Sequence, residues 1–436
     1  MKTKNFTPMP LGTRVTARQP RQPEMTVIVR GKFRVVQGGP LELIDDPENP
    51  LVQGFMSADL FAEEDDERLG ESLQPGDFAD FKPHAEALFK GSCHAPGGVE
   101  LSEARVRMSV GSWSKSLSVV GRRVFSDSRS GAALSKPLPF TEMPITWANA
   151  FGGPGHADNP VGKGINSSEA PTIEPLGASH GSRGSRVESV GFGPINPQWE
   201  LRKRKRGKNY GAAWKRERAP FYADDFDWTH FQSALPDQWF PYLRGDEPLS
   251  FFNLHREHAL LETRLPGLIV RAFLRDDQDN VREVKLNLDT VFADLEDDAV
   301  YLTWRGLCLV REEDLKDVKT LLVASEALDA PQPAAHYRAL LEAFEADPLG
   351  IEEARKKLLP EMPDGRDRMA EFKAFQAVQQ EAANSNDPDG LAKTVDAALK
   401  LVGGPEAEKQ RALLAENFAT IKQKTAENKV ADPTAG

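Results

Sequence analysis

Two histidines and several carboxylates are the residues of this chain with the clearest potential for chemistry. His255 and His258 stand three positions apart, so a helical turn would place both imidazoles near one metal ion. Asp225 and Asp246 lie in loop-rich segments upstream and could supply carboxylates to a metal-assisted hydrolase. The pattern is not H-E-x-x-H, however, and nothing in the sequence fixes a carboxylate as the third ligand. A metal-dependent hydrolase is therefore an alternative function rather than the first one.

Two other patterns resemble enzymatic motifs, but each lacks a part that its chemistry requires. Ser179 lies in a G-x-S-x-G pattern, yet Pro175 interrupts the approach and no helix is indicated after the serine. Gly162 and Lys163 resemble the end of a phosphate-binding P-loop, but Gly164 follows where Ser or Thr is needed. The sequence therefore predicts a protein that is not an enzyme, with no catalytic residues, no cofactor and no metal.

One strongly basic run stands out in an acidic chain. Residues 202–208 read RKRKRGK, and Trp199, Tyr210 and Trp214 bracket them. Such a run could contact an acidic partner protein, contact phosphate groups, or be a solvated loop. The net charge of −11 argues against broad binding to nucleic acid or anionic membranes, because phosphate contacts need positive charge. We therefore expect no nucleic-acid partner.

Cysteine usage and hydropathy indicate the compartment. The two cysteines, Cys93 and Cys308, stand far apart in the sequence, and the charged start of the chain is not followed by the apolar stretch of a signal peptide. No apolar run approaches the roughly 20 residues that span a bilayer. We expect a cytoplasmic protein with reduced thiols and no membrane insertion.

The first 310 residues are predicted to form short strands separated by Gly/Pro turns. The chain has 34 Gly and 32 Pro, and only six of the glycines lie beyond residue 330. Alternating or β-branched patterns predict a strand at 25–36 that returns at 41–44, a hairpin at 105–125, and a third cluster at 268–274, 281–288 and 300–305. A long irregular stretch, 135–250, is expected to be loops packed by their own aromatic residues. These features favour a loop-rich domain of sandwich-like antiparallel sheets.

The character of the sequence changes to helical near residue 330. Residues 311–333 are predicted to be a linker, and residues 334–430 a helical domain. Apolar residues at spacings of three and four, with breaks at Pro and Gly, predict five short helices in a bundle. Their ranges are 334–346, 351–359, 366–383, 391–402 and 406–429. The predicted fold class is therefore α+β, with a mainly-β domain followed by a C-terminal α-helical bundle.

The order of motifs in the middle of the chain resembles a known bacterial family. Residues 140–153 read FTEMPITWANAFGG, 158–164 read DNPVGKG, and 191–199 read GFGPINPQW. Further elements at 220–227, 236–238, 243–247 and 265–267 follow in the family's order. This series resembles a domain-of-unknown-function family of type VI secretion accessory proteins, over roughly residues 20 to 305. One departure is at Gly211, where the family usually has an acidic residue.

The resemblance implies a non-catalytic adaptor or chaperone. Such a protein binds a secreted toxin effector and helps to load it onto the VgrG and PAAR-type spike proteins. A structural component of the spike is a further alternative, and the resemblance leaves homo-oligomerisation open. The residues of the motifs are candidates for protein binding, and they are Phe151, Gly152, Gly153, Asn159, Pro160, Gly162, Phe192, Trp199, Asp225, Phe226, Asp237, Gln238, Gly245, Asp246 and Glu247.

Overall fold

A computed structural model describes most of the first 346 residues. The described residues are 2–346 except 20–21, 45–54, 57–58, 62–69, 129–130, 166, 178–187, 277, 279 and 310–319. The chain divides into two units, Met1–Arg355 and Lys356–Gly436, and all described residues belong to the first.

Strands make up most of the regular structure of this part of the chain. In chain order they are β1 (Lys2–Phe6), β2 (Leu11–Gln19), β3 (Gln22–Arg34), β4 (Glu42–Leu43), β5 (Leu60–Phe61), β6 (Ser72–Gln74), β7 (Ala85–Lys90), β8 (Ser92–His94), β9 (Glu103–Val110), β10 (Trp113–Val120), β11 (Phe125–Ser128), β12 (Gly131–Leu134), β13 (Glu142–Pro144), β14 (Phe151–Gly152), β15 (Lys163–Gly164), β16 (Ile173–Pro175), β17 (Trp239–Phe240), β18 (Pro248–Phe252), β19 (Leu260–Arg264), β20 (Leu268–Arg275), β21 (Val281–Lys285), β22 (Asn287–Asp294), β23 (Ala299–Leu309) and β24 (Thr320–Ala327). The α-helices are α1 (Glu200–Lys203), α2 (Ala212–Glu217) and α3 (Ala334–Ala346), and short 3-10 turns occupy Pro96–Gly98, Trp147–Asn149, Arg204–Arg206, Trp228–Phe231 and Pro236–Gln238. Within the described ranges, no helix has the length and apolar character needed to span a membrane.

Three sheets share one hydrophobic core. The largest has the strand order β17-β7-β22-β23-β3-β2, with β4 pairing to β3. A five-stranded sheet has the order β16-β10-β9-β18-β19, and a four-stranded sheet the order β1-β24-β20-β21. Leu302 of the first sheet, Met108 of the second and Val323 of the third all belong to the same buried cluster. Alternate side chains of each strand therefore meet in a shared interior, as in a sandwich.

Most of the predicted strands and hairpins are confirmed. Strand β3 returns through β4, and β9 and β10 form the second hairpin, with Val110 opposite Trp113. The predicted run 281–288 is two strands: β21 lies in the four-stranded sheet and β22 in the largest sheet. The sheets are not purely antiparallel, because β1 pairs with β24, β7 with β22 and β14 with β15 in parallel.

The predicted α+β class with a C-terminal helical bundle is wrong. The described structure is mostly β, with 44% strand and 12% helix. Helix α3 forms at 334–346 as predicted, but Tyr337 and Leu341 pack on Phe273 and Leu322 of the four-stranded sheet. In the described part of the chain, the apolar side of this helix packs on strands. The other four predicted helices lie outside the described residues.

The predicted linker 311–333 contains a strand of the fold. Strand β24 lies between β1 and β20 and pairs with both. Its residues Leu321, Leu322 and Val323 are fully buried. A short apolar run buried on both faces lacks the alternation that marks a half-exposed strand, so the pattern does not predict a strand at this position.

A layer of buried charges lies on the other face of the largest sheet, beside a small apolar cluster that contains Leu88 and Phe292. Arg30 of β3 pairs with Asp77 at 3.3 Å, and Arg305 of β23 pairs with Asp289 of β22. Lys82 lies 2.5 Å from Glu86 of β7 and is also buried. Asp77 and Lys82 come from the segment that crosses this face, so their charges fix where that segment lies. Burial raises the pKa of Asp77, and Arg30 opposes this rise.

We expect that removing one partner of this layer will be strongly destabilising. Asp289→Ala leaves the Arg305 guanidinium buried without its counter-charge, and should lower the free energy of unfolding by about 3–5 kcal/mol. Glu42→Ala is the matched control, because it breaks the exposed pair between Arg34 and Glu42 and should cost less than about 1 kcal/mol. Urea unfolding of the two variants measures the difference, and equal effects would contradict a compensated buried layer.

Candidate functional site

The loop that carries the first family motif is closed around one buried asparagine. Asn159 is fully buried, and its side-chain amide donates hydrogen bonds to the carbonyl oxygens of Trp147 at 2.8 Å and Phe151 at 3.0 Å. The Gly153 amide donates to the Asn159 carbonyl at 2.9 Å. The Lys163 amide donates to the Ala150 carbonyl at 2.9 Å. Residues 150–164 are therefore held as one closed loop.

Three glycines of this loop stand where no side chain fits. A Cβ on Gly152 would lie 2.2 Å from the Asn159 carbonyl oxygen, and one on Gly153 would lie 2.7 Å from the Ile165 carbonyl oxygen. A Cβ on Gly162 would lie 2.5 Å from the Asn159 amide nitrogen and 2.7 Å from the Ala150 carbonyl oxygen. Close backbone packing therefore explains the glycines of this motif.

The structure places this group of candidate binding residues mostly in the interior. Phe151, Gly152, Gly153 and Asn159 are buried, whereas Pro160 and Gly162 are partly buried. Their contacts hold the loop together, and none of them has a large exposed side chain for a partner to contact.

A second group of candidates fastens the middle loops to the largest sheet. Trp199 is buried edge-to-face against Trp147, with ring centroids 5.8 Å apart, and Phe192 packs in the same way on Phe89 at 6.0 Å. Gln238 is fully buried, donates to the Ala87 carbonyl at 2.7 Å and accepts from Lys115 at 2.9 Å.

Asp237, beside Gln238, is exposed. Its carboxylate accepts a hydrogen bond from the same Lys115 at 2.9 Å, and its carbonyl oxygen accepts one from the Trp113 indole at 2.7 Å. Asp237 therefore holds strand β10 as well as facing solvent.

The candidates Gly245, Asp246 and Glu247 form a tight turn. Glu247 accepts hydrogen bonds from the backbone amides of Arg244 at 2.6 Å and Gly245 at 2.9 Å. Gly245 has a φ of 111°, and a Cβ there would lie 2.5 Å from the Leu268 carbonyl oxygen. Asp246 is exposed and lies 3.4 Å from Arg244.

The residues of the alternative metal site are engaged separately. His255 lies 3.0 Å from Asp298 through Nε2, and its Nδ1 accepts hydrogen bonds from the backbone amides of Glu257 and His258. The His255 and His258 rings stack 5.1 Å apart in a loop, not on a helix. Across the part of the chain that the structure describes, no group of three or more His, Cys, Asp or Glu could hold a metal ion.

Two further enzymatic patterns of the sequence have different outcomes. Lys163 of the P-loop-like pattern pairs with Glu169 at 2.6 Å, and this pairing lowers the pKa of Glu169. Ser179 of the G-x-S-x-G pattern lies outside the described residues.

The motif series agrees with a match to a family model. Residues 21–305 match a bacterial family described as an uncharacterized protein conserved in bacteria, DUF2169. The chain belongs to this family. The match spans strands β3 to β22 and all fifteen candidate residues, so the predicted domain-of-unknown-function family is confirmed. No curated protein and no solved structure matches the chain.

One surface segment of the DUF2169 region is highly charged and is anchored to the protein interior. We call residues 200–218 the basic segment; it comprises α1, the 3-10 turn Arg204–Arg206, and α2. Its attachment is Arg202, which is buried and donates to the Ile195 carbonyl at 2.7 Å and the His230 carbonyl at 3.0 Å. The cationic side chains that remain exposed are Lys203, Arg204, Lys208, Lys215 and Arg216.

Two of the candidate residues, Asp225 and Phe226, support the basic segment. The Asp225 carboxylate accepts hydrogen bonds from the amides of Lys208 at 2.7 Å and Asn209 at 3.2 Å, and these bonds lower the pKa of Asp225. Gly207 has a φ of 77° directly against Asp225, where a Cβ would lie 2.3 Å from its carboxylate. Phe226 is buried in an aromatic cluster with Tyr222, Trp228, His230 and Phe231. The expected packing of the middle loops by their own aromatics is therefore observed in this cluster.

Sequence reasoning missed a cavity at the open end of the buried charge layer. Its volume is about 450 Å³, and its lining includes Arg18, Asp80, Tyr242, Arg305 and Cys308. Arg18 forms a two-point ion pair with Glu24, and Arg305 pairs with Asp289. Charged residues at alternate positions of a strand normally indicate a solvent-facing side, so the pattern hid this cavity.

We expect that filling the space of Gly162 will weaken the closed loop. Gly162→Ala forces a methyl group into backbone atoms and the Asn159 amide, and should lower the free energy of unfolding by about 1–3 kcal/mol. Gly211→Ala is the matched control, since no atom lies within 4 Å of its added Cβ, and it should change stability by less than about 0.5 kcal/mol. Thermal unfolding compares the two, and a neutral Gly162→Ala would refute the tight packing.

The His230 ring predicts a pH dependence of stability. Its Nδ1 donates to the Arg202 carbonyl at 2.9 Å while Nε2 accepts from Arg206, so the folded ring is neutral. Burial, aided by Arg202, lowers the pKa of His230 from 6.5 to about 4. Between these values the unfolded chain binds the proton and the folded chain does not, so stability falls as the pH falls, by up to about 3 kcal/mol.

Urea unfolding from pH 7.5 to pH 4.5 tests this. The contribution should disappear in His230→Gln and persist in His84→Gln, which removes an exposed histidine. If both variants kept the same pH dependence as the original protein, the His230 explanation would be wrong.

Proposed function

We propose that this protein is a non-catalytic adaptor or chaperone of type VI secretion. It binds a toxin effector in the cytoplasm and assists its loading onto the VgrG and PAAR-type spike. The motif series supports the proposal through its resemblance to accessory proteins of that system. The observation that carries it is an exposed loop surface that the contacts of the family motifs hold in place, and the charged basic segment is one part of that surface.

The contacts of the motif residues fit a binding protein better than an enzyme. The motif residues Asp225 and Glu247 accept hydrogen bonds from backbone amides, and His255 of the alternative metal site accepts them from the amides of its own loop. These groups are used to fix loops rather than to face a shared reaction site. A loop surface fixed in this way loses little conformational entropy on binding, which favours recognition of a partner.

Co-expression with a candidate effector encoded by a neighbouring gene tests the proposal. We expect the full-length chain to co-purify with that protein in a stable complex and, when it is deleted, secretion of that protein to fall while assembly of the apparatus persists. Absence of a complex together with unchanged secretion would refute the proposal.

The two alternative functions, a structural spike component and a metal-dependent hydrolase, predict different results for the same purified protein. A structural spike component would be found at a fixed stoichiometry in the purified, assembled particle, whereas an adaptor leaves its cargo before secretion. A metal-dependent hydrolase would purify with a stoichiometric ion bound at clustered ligands. Either result would replace the adaptor proposal.

A further inference from the structure

We propose that the basic segment, residues 200–218, is the docking surface of this protein and that it takes an acidic peptide segment of the partner. The inference rests on the proposed function and makes it more specific, because it names the surface and the chemical class of its ligand.

The charge of the basic segment is set apart from that of the rest of the chain. It holds nine basic residues and two acidic ones, a net charge of +7. Since the whole chain carries −11, the remaining residues carry −18. The exposed carboxylates of Asp224, Asp225 and Asp227 lie against the segment and offset part of this charge. A locally positive surface on an acidic protein attracts and orients an acidic partner, and it raises the rate of encounter.

The ion pairs of the basic segment neutralise only part of its charge. Arg202, inside the protein, lies 3.5 Å from Asp59. Lys203 lies 3.4 Å from Glu200 and Arg216 lies 2.7 Å from Glu217, so the pairs of these exposed cations use the segment's own two carboxylates. Arg204, Lys208 and Lys215 are exposed as well. Positive charge therefore remains available to a ligand along both halves of the segment.

Fixed backbone geometry distinguishes this segment from a solvated loop. Arg202 enters the interior beneath it, and Asp225 holds the amides of Lys208 and Asn209. Lys205 lies over the Trp239 ring at 4.6 Å, and the Tyr210 hydroxyl donates to the Arg206 carbonyl at 2.9 Å. A charged surface held in this way is already arranged for its ligand.

The cations also repel one another, and an anionic ligand would relieve this repulsion. Burial lowers the pKa of Lys205, and Arg202 and Arg204 lower it further, against the opposing effect of Asp227. Burial likewise lowers the pKa of Arg202, against the opposing effects of Asp59 and Glu86, and Arg206 adds to the lowering. Carboxylates bound above the segment would reduce the energy of these neighbouring positive charges.

A peptide fits this surface better than a nucleic acid does. Binding to single-stranded nucleic acid depends on aromatic faces on which bases stack. On the basic segment the Tyr210 and Trp214 rings pack edge-to-face on each other at 5.1 Å, and the Trp214 indole donates to the Phe221 carbonyl at 2.6 Å. Of these two aromatic residues Tyr210 alone is exposed, so the segment does not offer a series of rings for successive bases. An extended polyanion would reach beyond the basic segment, whereas a short acidic peptide can be confined to it.

Fluorescence anisotropy with a labelled Glu/Gly peptide and the full-length protein tests the inference. We expect binding that weakens as the salt concentration rises, and no binding of a Gln/Gly peptide of the same length. The combined variant Arg204→Gln, Lys208→Gln and Lys215→Gln should bind the acidic peptide about tenfold more weakly, because it removes exposed charges without touching the buried contacts.

A matched variant removes three exposed cations elsewhere, Arg105→Gln, Lys136→Gln and Arg264→Gln, and should bind like the original protein. An equal loss of peptide affinity in both variants would show that binding depends only on the net charge of the protein, and would overturn the inference. Tighter binding of a single-stranded oligonucleotide of the same charge than of the peptide would also overturn it.

The same variants separate this inference from the proposed function. If the secreted partner co-purifies equally well with the original protein and with the basic-segment variant, the adaptor proposal stands and the docking surface is wrong. If no secreted partner co-purifies with the original protein while the acidic peptide binds as expected, the surface stands and the adaptor proposal fails.

Discussion

Charge that is buried on a sheet face must be buried together with opposite charge, and the rest of this structure depends on that constraint. Arg30 and Arg305 stand on the largest sheet, where both side chains are almost completely buried. Asp77, from the segment that crosses the sheet, has to lie against Arg30 to compensate it. Apolar contacts alone would allow the crossing segment to shift along the sheet. Paired charges fix both the position and the direction of that segment.

A short series of contacts connects the segment that contains Asp77 to the protein surface. Asp80, close to Asp77 in the chain, accepts a hydrogen bond from the Tyr222 hydroxyl at 2.7 Å. Tyr222 packs on Phe226 with ring centroids 4.2 Å apart, and the neighbouring Asp225 holds the backbone of the basic segment. The exposed cations are therefore displayed on a support that reaches back to the sheet. A surface of this kind is suited to recognition, because its geometry exists before a partner arrives.

The motifs by which the family is recognised have a structural meaning in this chain. Asn159 and the glycines around it close a loop, and Gln238 fastens another loop to β7 and to Phe192. A series of specific residues can thus mark the positions where backbone approaches backbone most closely. The surface that carries the proposed function lies beside these positions and has a simpler signature, which is a run of basic residues.

The sequence by itself determined the β-rich character of residues 1–310, the main hairpins, the family and the basic run, because alternation, turn residues and charge are local properties. It did not determine that β24 enters a sheet, that α3 packs on strands, or that polar residues of β3 and β23 face a buried layer. Those outcomes depend on partners distant in the chain: Asp77 for Arg30, and Phe273 for Tyr337. Only the tertiary structure decided which charges are buried and which are displayed, since burial is a property of the neighbours that folding brings together.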